Sequence, residues 1–182
     1  MKKEGSLYKI IRGNIREALK HGKFTSGFTL VEMLVYMVIL MLFVSIFSVV
    51  FREIVDVQLE SQATSSVDQD EQFIIARLTH DMQQASAIVV PASAGQQTST
   101  LQITVNSVNY TYSLTGGNLQ ITNNNGTDNL NSVGTTVSGL TFQRIGSGDI
   151  HDTIQVSFTL SSTTQRSGGP ETKTYQTTLG LQ

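Results

Sequence analysis

Residues 23–40 read KFTSGFTLVEMLVYMVIL, and the reading of this stretch decides the fold. From Phe28 to Phe51, 20 of 24 residues are apolar; the exceptions are Thr29, Glu32, Ser45 and Ser48. As a helix this segment is about 36 Å long, enough to cross a bilayer core with some tilt. A buried core helix that is apolar all round would need far more protein around it than 182 residues supply. Glu32 is the anomaly. A charge at the middle of a membrane helix costs about 2.5–3.5 kcal/mol on insertion scales, and less near an end.

Charge is divided sharply along the chain. Residues 1–27 carry seven of the twelve Lys and Arg residues against Glu4 and Glu17, a net charge of +5; residues 28–182 carry the other five against twelve acids, a net charge of −7. Basic residues flanking a span stay in the cytoplasm, so the N-terminus is expected inside and the C-terminal part outside. The acidic remainder argues against nucleic-acid binding as the main task. With no cysteine, neither disulfides nor thiol chemistry are in play.

An ordinary secretory signal also joins a basic stretch to an apolar one. Here the apolar run is too long for a signal core. The small residues Ser26 and Gly27 lie before the run, not after it. Cutting there removes the basic leader and keeps the hydrophobic helix.

Gly27-Phe28-Thr29-Leu30-Val31-Glu32-Met33-Leu34-Val35 resembles the cleavage and methylation signature of type IV prepilins and of the pseudopilins of type II secretion. The signature has glycine before the cut, phenylalanine after it, glutamate five residues into the mature chain, and then an unbroken apolar run. The resemblance implies that a prepilin peptidase/N-methyltransferase cuts after Gly27 and methylates the new amine of Phe28. It implies that Glu32 meets the N-terminal amine of a neighbouring subunit, where the low dielectric of lipid makes the attraction large. The structurally plain alternative is a glutamate near the interface that reaches water. The leader, residues 1–27, is longer than is usual in that family. A basic amphipathic turn on the inner membrane surface and a start codon assigned too far upstream both account for it.

Beyond the span, residues 52–90 are expected to continue as an amphipathic helix. A weak point is expected at Ala63-Thr64-Ser65-Ser66, with a restart near Val67 capped by Ser66. Asp68, Asp70 and Glu71 then sit in a first turn, and Ile74, Leu78, Met82 and Ala85 form an apolar stripe. Pro91 is expected to end the helix, with residues 91–100 a polar linker. Residues 101–182 alternate apolar with Ser, Thr, Asn and Gln, which predicts six or seven antiparallel strands. The clearest are Leu101–Val105, the pair flanking Gly116-Gly117, and Ile154–Leu160. The expected fold is therefore α+β and type IV pilin-like: a long N-terminal helix, residues 28–51 for membrane and assembly, whose second half covers an antiparallel sheet.

The order ARLTHDMQQAS, TGGNLQIT, VSGLTFQRI and a long alternating strand also resembles the larger minor subunits, the J-type minor pseudopilins and W-type minor pilins. That likeness implies a minor subunit, with other pilins or pseudopilins and inner-membrane lipid as partners. The implied location is the bacterial inner membrane, then the filament. The competing class is a single-span anchored β-rich receptor or adhesin that never polymerises.

No catalytic residue, cofactor or metal site is expected. His80-Asp81 and His151-Asp152 are each adjacent pairs without clustered ligands, and solvated surface is the expected role. Asp68-x-Asp70-Glu71 lacks the spacing of a calcium loop. Asp128, Asp149 and Asp152 stay open as a calcium region, because some pseudopilins bind the ion in the head.

Overall fold

The computed structural model describes residues 27–145 and 152–181. One helix, α1, runs from Leu30 to Gln84. Nine strands follow: β1 (Ala85–Val90), β2 (Gln97–Thr98), β3 (Leu101–Val105), β4 (Val108–Thr115), β5 (Asn118–Asn123), β6 (Gly126–Asn129), β7 (Thr135–Arg144), β8 (Thr153–Ser162) and β9 (Thr172–Gly180). The described chain divides into two units, one ending at Val49 and the other starting at Val50. The layout is α+β and type IV pilin-like.

In the first unit the helix residues from Leu30 onward are exposed, apart from a half-buried Glu32. The helix contains an 18-residue window of mean hydropathy 2.8, none of it covered by protein. Such a surface is stable only in an apolar solvent. The Ser48 hydroxyl donates to the Val44 carbonyl at 2.7 Å, so this polar group is satisfied within the helix.

In the second unit one stripe of α1 enters the core. Its buried residues are Ala63, Val67, Asp70, Ile74, Leu78, Asp81 and Met82, spaced three or four apart. Two antiparallel sheets meet it, with strand orders β1-β3-β4-β5-β6 and β2-β7-β8-β9. Fully buried Leu101, Ile103, Tyr112, Leu119, Phe142, Ile154, Phe158 and Leu160 supply the sheets' side of the core. The outward positions of β3–β5 and β7–β9 are Ser, Thr, Asn, Gln or Gly. Hydroxyl pairs such as Thr159–Thr174 at 2.9 Å and Thr122–Thr127 at 2.8 Å link neighbouring strands there.

Four expectations need correction. The helix does not break at Ala63–Ser66. Ala63 and Val67 are buried there, and the Ser66 hydroxyl bonds back to the Gln62 carbonyl at 2.9 Å. Packing overrides a weak local preference. Asp68, Asp70 and Glu71 are therefore mid-helix. The helix also ends earlier than residue 90: Ala85–Val90 is β1, paired with β3, and its Ile88-Val89-Val90 run suits a strand. Residues 91–100 are more than a linker. They hold β2, and Gln96 Oε1 accepts the amides of Ala92 and Ser93 at 2.9 and 3.3 Å. Finally, the strands form two sheets, not one. The extra strands β1, β2 and β6 are short or bulged.

Two carboxylates interrupt the apolar stripe, and each is matched from a sheet. Asp70 Oδ2 accepts the Ser132 amide at 2.9 Å, the Ser132 hydroxyl at 2.8 Å and the Thr135 hydroxyl. Asp81 Oδ2 accepts the phenol of Tyr112 and the Arg77 Nε at 2.8 Å. Eleven residues separate the two acids, so they lie within about 20° of each other around the helix axis. Buried charge is tolerated only with such partners.

Burial, then the bond to Asp81, raises the Tyr112 phenol pKa above its ordinary value. In the unfolded chain a tyrosine titrates near pH ~10. Above that pH the unfolded chain loses a proton that folded Tyr112 keeps, so stability falls as pH rises, by about 1.4 kcal/mol per unit. Tyr175, raised to about 12 by burial and then by Asp68 and Glu71, adds to the same limb. Tyr112→Phe is expected to lower stability at pH 8 by about 1–3 kcal/mol and to flatten the decline above pH ~10. Urea unfolding at a series of pH values measures both; parallel alkaline limbs in the two proteins would contradict the assignment.

Candidate functional site: the first turn of the helix

Thr29 opens α1. Its carbonyl accepts the Met33 amide at 3.1 Å, and its hydroxyl accepts the Glu32 amide at 3.2 Å. Thr29 thus caps the helix, with the acid at capping-box spacing three residues on, while the Glu32 carboxylate itself bonds one turn ahead. A carboxylate in the first turn also faces the positive end of the helix dipole. The Tyr36 hydroxyl, one turn later, donates to Glu32 Oε1 at 3.0 Å. The Phe28 and Tyr36 rings meet edge to face with centroids 6.0 Å apart. The sequence reading missed Tyr36, although its i+4 spacing from Glu32 was the available signal.

Gly27 precedes this turn. A Cβ added there would meet nothing within 4 Å, and its φ is not in the left-handed region. Nothing in the folded chain requires glycine at this position. Among the described residues no cation pairs with Glu32. The first turn therefore holds a carboxylate stabilised by neutral donors and dipoles, beside an exposed Gly27-Phe28 peptide.

Residues 23–48 match the model of the prokaryotic N-terminal methylation motif. The match covers 26 of the 182 residues, and the motif is the one type IV pilins and pseudopilins carry. No curated protein and no solved structure matches the chain. This pilin-type motif marks the chain for prepilin cleavage and methylation. The apolar helix and the motif are consistent with an inner-membrane anchor.

The other polar clusters resolve differently from one another. His80 is exposed, its ring 3.5 Å from the Gln84 amide nitrogen. Its neighbour Asp81 is buried and bonded, which corrects the expectation of a solvated pair: adjacent helix positions face different surroundings, and only the second faces the sheet. His151 and Asp149 lie outside the described residues. Asp152 is held by Arg144, which also donates to the carbonyls of Pro91 and Ala92 at 3.2 and 3.0 Å. Asp128 is exposed on β6, and Asp68 pairs with Lys173 at 2.7 Å. Among the described residues no three His, Cys, Asp or Glu side chains are grouped to hold a metal.

Replacing Thr29 by Ala removes the cap. An N-cap change of about 1 kcal/mol corresponds to about five-fold faster exchange of the Glu32 amide. Hydrogen exchange of the full chain in detergent micelles reads this directly; an unchanged rate would show that the threonine hydroxyl does not hold the first turn.

Proposed function

We propose that this chain is a structural subunit of a type IV pilus or type II secretion pseudopilus. It is inserted with its N-terminus inside, cut between Gly27 and Phe28, methylated on Phe28, and assembled through α1. The observation that carries the reading is the state of Glu32. It is a half-buried carboxylate in an uncovered, largely apolar segment, with a tyrosine donor and, among the described residues, no cation beside it. Cleavage supplies the missing cation as the amine of Phe28. In the assembled filament Glu32 takes the amine of a neighbouring subunit, inside lipid, where the attraction is strong. A glycine that the fold does not need, placed just before the cut, fits recognition by the peptidase.

The sheets support assembly through the helix and not through strand addition. Free sheet edges invite other chains, and each edge here is blunted. β1 carries two register shifts, β2 has two residues and β6 four. The nine-residue β9 places Lys173 on its inner face, bonded to Asp68 of the helix. The resemblance to the larger minor subunits, and the absence of a cysteine staple, favour a minor role.

Mass spectrometry of the mature protein from cells is expected to find N-methylated Phe28; retention of the leader would overturn the reading. Glu32 is tested by two substitutions. Glu32→Gln keeps a side-chain oxygen able to accept the Tyr36 hydroxyl but removes the charge, whereas Glu32→Ala removes both. Assembly is expected to fail in both variants, with membrane insertion kept. Normal assembly of Glu32→Gln would reduce Glu32 to a hydrogen-bond partner of Tyr36. Cysteines placed along residues 34–44 are expected to give a cross-linked ladder in membranes, where an anchored receptor would give none.

A further inference from the structure

Tyr36 is the one phenol in the apolar span 28–51, and it stands one helical turn after the one acid there, Glu32. A tyrosine close to a membrane boundary ordinarily anchors its helix at the headgroups. Tyr36 is too deep for that role. It follows Phe28 by eight residues, about 12 Å along the helix axis. A hydroxyl at that depth meets hydrocarbon and needs a partner within the protein. Long side chains on a helix lie over the turn that precedes them, which carries the phenol back to the acid. Glu32 Oε1 accepts it at 3.0 Å. The same ring meets Phe28 edge to face, with centroids 6.0 Å apart. One side chain thus touches both the acid of the pairing and the residue that carries the amine.

The bond also divides the carboxylate. Its two oxygens offer about four lone-pair sites. Tyr36 takes one of them on Oε1, and Oε2 has no partner among the described residues. A free glutamate side chain samples several rotamers and loses that freedom when it pairs. With Oε1 held, the side chain is ordered before a neighbour arrives. Oε2 is then the oxygen left to receive a cation.

We propose that Tyr36 is a positioning residue for assembly: its hydroxyl fixes the Glu32 carboxylate through Oε1 and presents Oε2 to the amine of the neighbouring subunit. This rests on the filament reading above and adds to it the side chain that sets the geometry of the pair.

Tyr36→Phe removes the hydroxyl and keeps a ring against Phe28. The chain has no cysteine, so one cysteine introduced between residues 37 and 44 reports assembly without background. The cross-linked ladder in membranes, measured per molecule of methylated full-span chain, is expected to fall about ten-fold in Tyr36→Phe, the ratio that goes with losing one hydrogen bond to a charged group. Two replacements at position 36 separate the donor from the ring. 4-Aminophenylalanine restores a donor at the same reach and is expected to recover most of the ladder. O-Methyltyrosine keeps the ring and its oxygen but cannot donate, and its ladder is expected to stay low. A ladder from Tyr36→Phe equal to that of the parent chain, with Glu32→Gln still failing, would overturn this proposal and leave the filament reading standing. So would a loss in Tyr36→Phe that 4-aminophenylalanine does not repair, because ring packing would then account for it. Full ladders from both Tyr36→Phe and Glu32→Gln would remove the pairing itself.

Discussion

The second unit depends on one helical stripe and how it is covered. Ala63, Val67, Ile74, Leu78 and Met82 are removed from water by two sheets, and burying side chains of this kind contributes about 1.5–3 kcal/mol for each large one. Hydrophobic contact alone does not fix register, because a helix slid by one turn would present a similar stripe. Asp70 and Asp81 remove that freedom. Each is an acid in an apolar seam whose partners, Ser132 and Thr135 or Tyr112, exist at one position on the sheets. A slip would leave two buried charges without donors, a far larger penalty than a misfit methyl group.

That constraint has consequences for the rest of the molecule. The loop tied to Asp70 joins the two sheets, since Asn131 bonds to Leu119 of one and to Thr135 of the other. The loop after β8 returns to the helix as well: Ser167 donates to Asp56 at 3.0 Å, and Arg166 lies 3.5 Å from Glu60 while bonding Glu171 at 2.7 Å. Charged side chains of the strands and their loops are thus largely spent on internal joints, while the outward sheet faces are neutral hydroxyls and amides. A surface of that kind is soluble yet inexpensive to desolvate, which suits a domain that packs beside its neighbours.

Much of the candidate site was legible in the sequence, because its signals are local. Glycine, phenylalanine and glutamate at fixed spacing ahead of a long apolar run need no tertiary information. What was missed there, the Tyr36 hydroxyl on Glu32 and the Thr29 cap, is also local and follows from i+4 and i+3 geometry. The strands Leu101–Val105 and Thr153–Ser162 and the Gly116-Gly117 turn were legible for the same reason: alternation and positive φ are properties of short segments. Asp81 was not. Beside His80 it reads as surface, and only the distant Tyr112, 31 residues on, makes it a core residue.

The sequence by itself determined the apolar span, its basic flank, the placement of the one acid within it, and the alternating strands. Each of these is a periodicity or a spacing that acts over a few residues. Only the tertiary structure decided that the helix runs unbroken through Ala63–Ser66 and stops at Gln84, that the strands divide into two sheets, and that two aspartates lie inside the core. Those outcomes depend on contacts between residues far apart in the chain, where burial outweighs local preferences of a few tenths of a kcal/mol per residue.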